Sequence, residues 1–231
     1  NVAHHYDLSD ALYALFLDKN RQYSCGYFAD PSMSLEQAQL AKLDHISKKL
    51  MAGPEHRVLD IGCGWGGLAM HIAETTGAQV TGITLSEEQH AYATAKARER
   101  GLADRVTFHL RDYRNETGTY DRIVSVGMFE HVGVPNYDAY FECIRDRLSQ
   151  RGIAMMHTIV QAHLPWPTNP WLMKYIFPGG YCPAVSEVLR SIEKLGLWTT
   201  DMESWRLHYA ETLRHWRDAF LARRDEAAAL Y

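Results

Sequence analysis

The sequence predicts an α/β fold, a mostly parallel sheet with helices on both faces. Three observations carry that expectation. Short apolar runs alternate with helical patterns along residues 57–158. The stretch Arg57-Val58-Leu59-Asp60-Ile61-Gly62-Cys63-Gly64-Trp65-Gly66-Gly67 reads as a buried strand, a tight glycine turn and a helix start. Leu68, Ala69, Ile72 and Ala73 then recur at helical spacing. Strand, turn and helix in that order place a small ligand at a helix N-terminus. Glycine suits such a turn because it adopts backbone angles other residues avoid and lets a ligand touch the main chain.

The elements follow in order. Residues 1–30 are aromatic, with Tyr6, Tyr13, Phe16, Tyr23, Tyr27 and Phe28. Leu8 to Leu17 reads as a helix started by Asp7 or Ser9, and Tyr23 to Phe28 as an ordered loop. Ser34 begins a helix, with Gln37 at capping-box spacing and Leu43, Ile46 and Leu50 on one face. Gly53-Pro54 ends it. Strand 57–61, helix 66–75, strand 79–83, helix 87–100 and strand 105–110 come next. Strand 121–126, helix 137–148 and strand 153–158 complete the alternation. Residues 161–183 interrupt it with the proline-rich aromatic run Leu164-Pro165-Trp166-Pro167-Thr168-Asn169-Pro170-Trp171 and with Ile176-Phe177-Pro178-Gly179-Gly180-Tyr181. Such an insert at strand ends forms a lid or substrate wall. A helix at 184–195, a strand at 197–203 and a long helix from Tyr209 to Leu230 end the reading.

Composition narrows the function. A chain of 231 residues with 46% hydrophobic and 23% charged residues suits one globular domain. A net charge of −4 argues against a general nucleic-acid binder. No apolar run approaches the ~20 residues of a membrane span, and no signal peptide precedes the first motifs. Cys25, Cys63, Cys143 and Cys182 are widely spaced. That spacing argues against a zinc site or disulfide framework and for a reducing cytoplasm.

Gly62, Gly64 and Gly67 match GxGxxG, which fits a nicotinamide or flavin enzyme. A dinucleotide fold wants a carboxylate at the end of its second strand to hold the ribose. Gly82-Ile83-Thr84-Leu85-Ser86 supplies a threonine, and Glu87 and Glu88 fall on the first helical turn, where the helix dipole favours acids. The run Asp60 to Gly66 resembles motif I of S-adenosylmethionine-dependent methyltransferases. Its aspartate can order the loop and receive an ammonium group. Asp112-Tyr113 offers a carboxylate for an adenine amino group and a ring for the base, although a plain loop aspartate reads the same way alone.

Further pieces sharpen the resemblance. Tyr23-Ser24-Cys25, Thr84-Leu85-Ser86-Glu87-Glu88-Gln89, Val124 to Gly133, His157-Thr158-Ile159 and Tyr175 to Gly180 together look like the cyclopropane-fatty-acid synthases. That family includes the mycolic acid cyclopropane synthases. The similarity runs from His5-Tyr6-Asp7-Leu8 to His208-Tyr209-Ala210. It implies a Rossmann-like class I methyltransferase fold in one catalytic domain. Residues 1–55 would form a helical cap, 56–160 the cofactor-binding core, and 161–231 an acyl-binding insert with the C-terminal helices.

The resemblance also implies a site. S-adenosylmethionine would lie among Tyr23, Ser24, Asp60, Gly62 and Gly64 at its methionine part, Thr84 and Gln89 at the ribose, and Asp112 and Tyr113 at the adenine. Gln89 could instead serve only as a helix cap to Ser86. A bicarbonate ion would be held by Cys25, Glu130, His157, the backbone of Ile159 and Tyr209. The methylene of the donor would add to a cis double bond of an unsaturated acyl chain, through a carbocation deprotonated by that bicarbonate. Glu130, His157, Tyr209 and Cys25 would be the catalytic set. Without the resemblance, Glu130 reads as a helix-start acid, His157 as a core histidine and Cys25 as a small buried residue.

The expected partner is an unsaturated phospholipid. The insert from Pro165 to Phe177 would touch the bilayer with its amphipathic aromatics, placing the protein in the cytoplasm against the inner membrane face. No metal is expected. Two departures from the family stand out. Many members carry an N-terminal lipid-binding domain, and their sheet usually ends in an antiparallel strand after the long helix. This sequence opens on Asn1 and ends at Tyr231 inside that helix. A fragment, or a homodimer completing the sheet, is therefore expected. The alternatives are a fatty-acyl C-methyltransferase, a small-molecule N-methyltransferase, and an inactive lipid-binding module.

Overall fold

The computed structural model describes residues 10–230. The expected motif His5 to Leu8 and the helix start at Asp7 or Ser9 lie outside them.

Five strands carry the fold: β1 Arg57–Ile61, β2 Gln79–Thr84, β3 Val106–Leu110, β4 Tyr120–Val126 and β5 Leu148–His157. They pair in parallel in the order β3-β2-β1-β4-β5. Side chains alternate between the two faces, as strand geometry requires. Val58 and Val124 point to one face, and Leu59, Ile61 and Ile123 to the other. Both faces are covered, so the strands read as nearly continuous apolar runs. On the first face lie α2 Leu35–Leu50, α3 Gly67–Thr76 and α4 Glu87–Glu99. On the second lie α5 Tyr137–Arg147 and α7 Val185–Lys194. Between them in sequence, the short helix α6 Pro170–Tyr175 crosses the insert.

The predicted caps are real. Ser34 Oγ accepts from the Gln37 amide, and the Gln37 side chain accepts from the Ser34 amide. The helix ends at Met51 in the left-handed conformation, just before Gly53-Pro54.

Three expectations are corrected. The first helix is only α1 Asp10–Tyr13 among the described residues, followed by turns. Residues 197–203 form no strand. They belong to a strap tied down by side chains: Lys49 pairs with Asp201 and with Glu203 at 2.8 Å, and His45 Nε2 lies 2.8 Å from Glu203. Ion pairs hold that strap instead of ladder hydrogen bonds. The long C-terminal helix is two, α8 His208–Ala222 and α9 Arg224–Ala228. At the break, the Arg223 guanidinium donates to Glu226 at 3.0 and 2.8 Å and to the Ala14 carbonyl at 3.3 Å. No antiparallel strand follows among the described residues.

Aromatic packing fastens the N-terminal segment over the sheet. Tyr13 meets Trp65 at 5.0 Å and Tyr23 at 5.3 Å, and Tyr23 meets Trp216 of α8 at 5.2 Å. The Gly26 amide donates to Thr212 Oγ1 at 2.9 Å. Each such ring pair contributes about 0.5–1.5 kcal/mol beyond its buried area.

Candidate active site

Strand order reverses between β1 and β4, and open α/β sheets bind ligands at such a switch point. A cavity of about 340 Å³ lies there, at the carboxyl ends of β1 to β4. Tyr23, Ser24, Asp60, Gly62, Gly64, Thr84, Gln89, Asp112 and Tyr113 all line it. Every residue the sequence nominated for the cofactor is therefore at one cavity.

The glycine turn shapes its floor. Gly62 has φ 78°, and a Cβ there would sit 2.8 Å from Met128 Cγ. Gly64 has φ 54° and open space where its Cβ would point. That open space is what a bound ligand needs against the backbone. Asp60 is 1% exposed, and its Oδ2 has no hydrogen-bond partner among the described residues. Burial pushes its carboxyl up to about 7. A buried carboxylate without a cation fits a ligand that brings one.

At the end of β2, Thr84 Oγ1 donates to Gln89 Oε1 at 2.9 Å. Ser86 Oγ accepts from the Gln89 amide at 3.3 Å, so Ser86 caps α4. The Gln89 side chain does not return the cap. It turns to Thr84 instead, and the two form one polar edge of the cavity. Asp112 is less free than the sequence suggested. Arg114 binds it in a fork, Nε at 2.9 Å and Nη2 at 2.6 Å. This pairing holds the Asp112 carboxyl below the usual range.

The second residue set lies beside the cavity and not in its lining. Glu130 is 8% exposed. The Ile159 amide donates to its Oε1 at 2.7 Å, while its Oε2 is buried without a partner among the described residues. Burial raises the Glu130 carboxyl despite the Ile159 amide and the nearby Thr158 hydroxyl, both of which act to lower it. His157 ends β5, and its carbonyl accepts from the Gly127 amide at 2.9 Å. Its Nδ1 is also buried and unpartnered among the described residues. Burial, then the positive charge of Lys42, lower His157 to about 4, so the ring is neutral at pH 7. Burial pushes the Cys25 thiol up to about 11, which argues against a thiolate nucleophile. Burial also raises the Tyr209 phenol, and Tyr23, Glu130 and Cys25 stand close enough to push the same way. The structure thus brings Cys25, Glu130, Ile159 and Tyr209 into one neighbourhood, with His157 two residues before Ile159.

Sequence reasoning missed three contributors. Lys42 is fully buried and donates to Ser24 Oγ at 2.7 Å. Its signal was a lysine inside the apolar stripe Ala38, Lys42, Ile46. Trp205 sets its ring 4.9 Å from that of His157; it sits in an irregular strap, where no periodicity marks it. Arg114 had no signal beyond its position after Asp112.

A parallel five-stranded sheet, a glycine turn after β1, a buried Asp60 and a Thr84–Gln89 edge after β2 define the Rossmann-like fold of S-adenosylmethionine-dependent methyltransferases. Comparison with known proteins agrees. The family described as mycolic acid cyclopropane synthetase matches residues 1–231, and the chain belongs to it. It is 44% identical over 230 residues to a cyclopropane-fatty-acyl-phospholipid synthase of Escherichia coli K12, covering 98% of this chain and 58% of that protein. It is 41% identical over 236 residues to a probable fatty acid methyltransferase of Pseudomonas putida, covering 99% of this chain and 60% of that protein. The chain thus spans under two thirds of the length of these two relatives. Its fold superposes on the mycolic acid cyclopropane synthase CmaA1 complexed with SAH and CTAB with a TM-score of 0.93 at 35% identity. That match covers 99% of this chain and 85% of the other.

Proposed function

We propose that this chain is the catalytic part of an enzyme that adds the methylene of S-adenosylmethionine across a cis double bond of an unsaturated phospholipid acyl chain. One observation carries the reading. Glu130 Oε2 and His157 Nδ1 are both buried and lack partners among the described residues, beside a cavity that suits the methyl donor. Buried polar atoms are rarely left unmatched, so a small hydrogen-bonding group belongs there. A bicarbonate ion fits: it offers acceptors and a donor to a neutral imidazole, a carboxyl group and a tyrosine.

S-adenosylmethionine, when bound, supplies an electrophilic methyl; bicarbonate supplies negative charge beside a cationic centre and a base for the methyl proton. The chain does the rest. Asp60 accepts from the ammonium end of the donor, and its carboxylate form is restored by that cation. The Thr84–Gln89 edge meets the ribose hydroxyls, and Asp112 with Tyr113 meets the adenine. The Ile159 amide fixes Glu130 through Oε1, which leaves Oε2 to carry or release a proton. Neutral His157 holds or accepts a proton at Nδ1. Tyr209 and Cys25 close the pocket as un-ionised donors and keep water out.

Lipid access is proposed for the insert. Leu164 is 83% exposed and Trp166 68%, with Trp171 and Tyr175 exposed beside them on α6. Such amphipathic rings suit a membrane surface. No helix among the described residues is long and apolar enough to cross a membrane.

The test is isotopic. The protein is incubated with S-adenosylmethionine labelled in its methyl group and vesicles of a cis-monounsaturated phospholipid, and the lipid is read by mass spectrometry. A labelled product one CH₂ heavier that resists hydrogenation is a ring and supports the proposal. A labelled product that takes up hydrogen is a methylene branch. It supports the second reading, a fatty-acyl C-methyltransferase, which the resemblance to the Pseudomonas putida protein favours. No label in lipid overturns both.

A further inference from the structure

Lys42 has no part in the chemistry above, yet it is the most unusual charge in the molecule. It lies on α2 with 0% exposure. Among the described residues its one hydrogen-bond partner is Ser24 Oγ, at 2.7 Å. An ammonium group has three N–H donors, and burying one with a single neutral partner is costly. Ser24 itself is held from the other side, its carbonyl accepting from Gln39 Nε2 at 2.9 Å. It lines the cofactor cavity next to Tyr23 and faces Gly127.

The direction of that hydrogen bond matters. Once protonated, Lys42 can only donate, so Ser24 Oγ is then the acceptor and the hydroxyl hydrogen turns to another acceptor. A hydroxyl with its hydrogen aimed into a cavity, backed by a buried positive charge, suits an anionic ligand group. S-adenosylmethionine carries one anionic group, the carboxylate of its methionine end. Asp60, on the same cavity, is the buried anion for the ammonium of that end.

We propose that Lys42 is the positioning residue for the cofactor's carboxylate, aiming the Ser24 hydroxyl at it and supplying the buried countercharge. This rests on the cofactor reading given above. Both charges of an α-amino acid are then matched from beneath the site, Asp60 for one and Lys42 through Ser24 for the other. A ligand lacking the carboxylate leaves the ammonium unmatched, so the site selects the full amino-acid end of the cofactor rather than adenosine alone.

A proton-linkage experiment tests this. The groups facing Lys42 are Asp18, Cys25 and His157, and burial outweighs them, lowering the amine to about 7. In the free protein at pH 8 Lys42 is therefore about one-tenth charged. A carboxylate arriving at Ser24 raises its pKa, and the protein takes up close to one proton. Binding of S-adenosylhomocysteine is measured by calorimetry at pH 8, without bicarbonate, in two buffers of different ionisation enthalpy. Wild type takes up nearly one proton more than Lys42→Met, and the variant binds about ten- to a hundredfold more weakly. Ser24→Ala keeps the lysine and loses affinity without the full loss of Lys42→Met. Adenosine binds wild type and Lys42→Met equally. Equal affinity and equal proton uptake in wild type and Lys42→Met overturn the proposal. So does a Lys42→Met defect that appears only when bicarbonate is added, because the anion served would then be the other one. Failure of wild type to bind S-adenosylhomocysteine overturns the cofactor reading and this role with it.

Discussion

Asp60→Asn should make the ligand-free protein more stable at alkaline pH while weakening cofactor binding. The buried Asp60 carboxyl is raised from 3.8 to about 7 by desolvation. A group whose folded pKa is raised contributes most stability below its unfolded pKa, and that contribution is lost as pH rises to the folded value. At 1.36 kcal/mol per unit, the raised pKa of Asp60 costs the free protein about 2 kcal/mol at pH 5 and about 4 kcal/mol at pH 8. Lys42 runs in the opposite sense, since its lowered pKa costs stability as pH falls. The wild-type curve is therefore a sum, and only the difference between wild type and Asp60→Asn isolates the carboxyl. Urea denaturation at pH 5 and pH 8 measures it. The stability gain of Asp60→Asn should be larger at pH 8 than at pH 5 by about 2–3 kcal/mol. S-adenosylhomocysteine should stabilise wild type strongly at pH 8 and the variant little. An equal effect of the substitution at the two pH values would refute the idea that Asp60 is held without a countercharge for the ligand.

Other outcomes follow from the same geometry. Glu130→Gln keeps an acceptor for the Ile159 amide but cannot cycle a proton at the second oxygen; turnover should fall about a hundredfold or more, with S-adenosylhomocysteine affinity changed less than about threefold in calorimetry. Thr84→Val removes the partner of Gln89 Oε1 and should weaken S-adenosylhomocysteine binding about five- to thirtyfold. Gly62→Ala places a Cβ 2.8 Å from Met128 Cγ at a φ of 78°, and should lower stability by about 1–3 kcal/mol in urea titrations. Replacing Trp166 and Trp171 together by alanine should reduce sedimentation with unsaturated phospholipid vesicles severalfold and leave S-adenosylhomocysteine binding intact; unchanged sedimentation would remove the insert from the lipid account.

The parallel sheet was legible because its strands are buried on both faces and two of the helices against it, α2 and α4, begin at serine caps. Val58 to Ile61, Ser34 with Gln37, and Ser86 needed no tertiary knowledge. The glycine turn and Asp60 were legible from the strand–turn–helix pattern, whereas Tyr23, Ser24, Thr84 and Gln89 were named through the family resemblance, and the fold brings them to the same cavity. What depended on distant contacts was not legible. Residues 197–203 looked like a strand, but Asp201 and Glu203 reach back to Lys49 and His45 across the chain. The helix break at Arg223 depends on the carbonyl of Ala14. Lys42 went unread in the sequence, and only the packing of α2 places it under Ser24. Asp112 stood out as a ligand acceptor, and only the fold shows Arg114 already forked on it.

The proposed chemistry needs a bicarbonate ion beside the methyl donor. The most direct measurement is a crystal structure of this chain grown with S-adenosylhomocysteine and bicarbonate, at a resolution that separates water from a trigonal ion. Planar three-oxygen density in contact with Glu130 Oε2, His157 Nδ1 and the Tyr209 hydroxyl is expected. Closed protein packing there, with Glu130 Oε2 and His157 Nδ1 bonded to each other or to water alone, would contradict it.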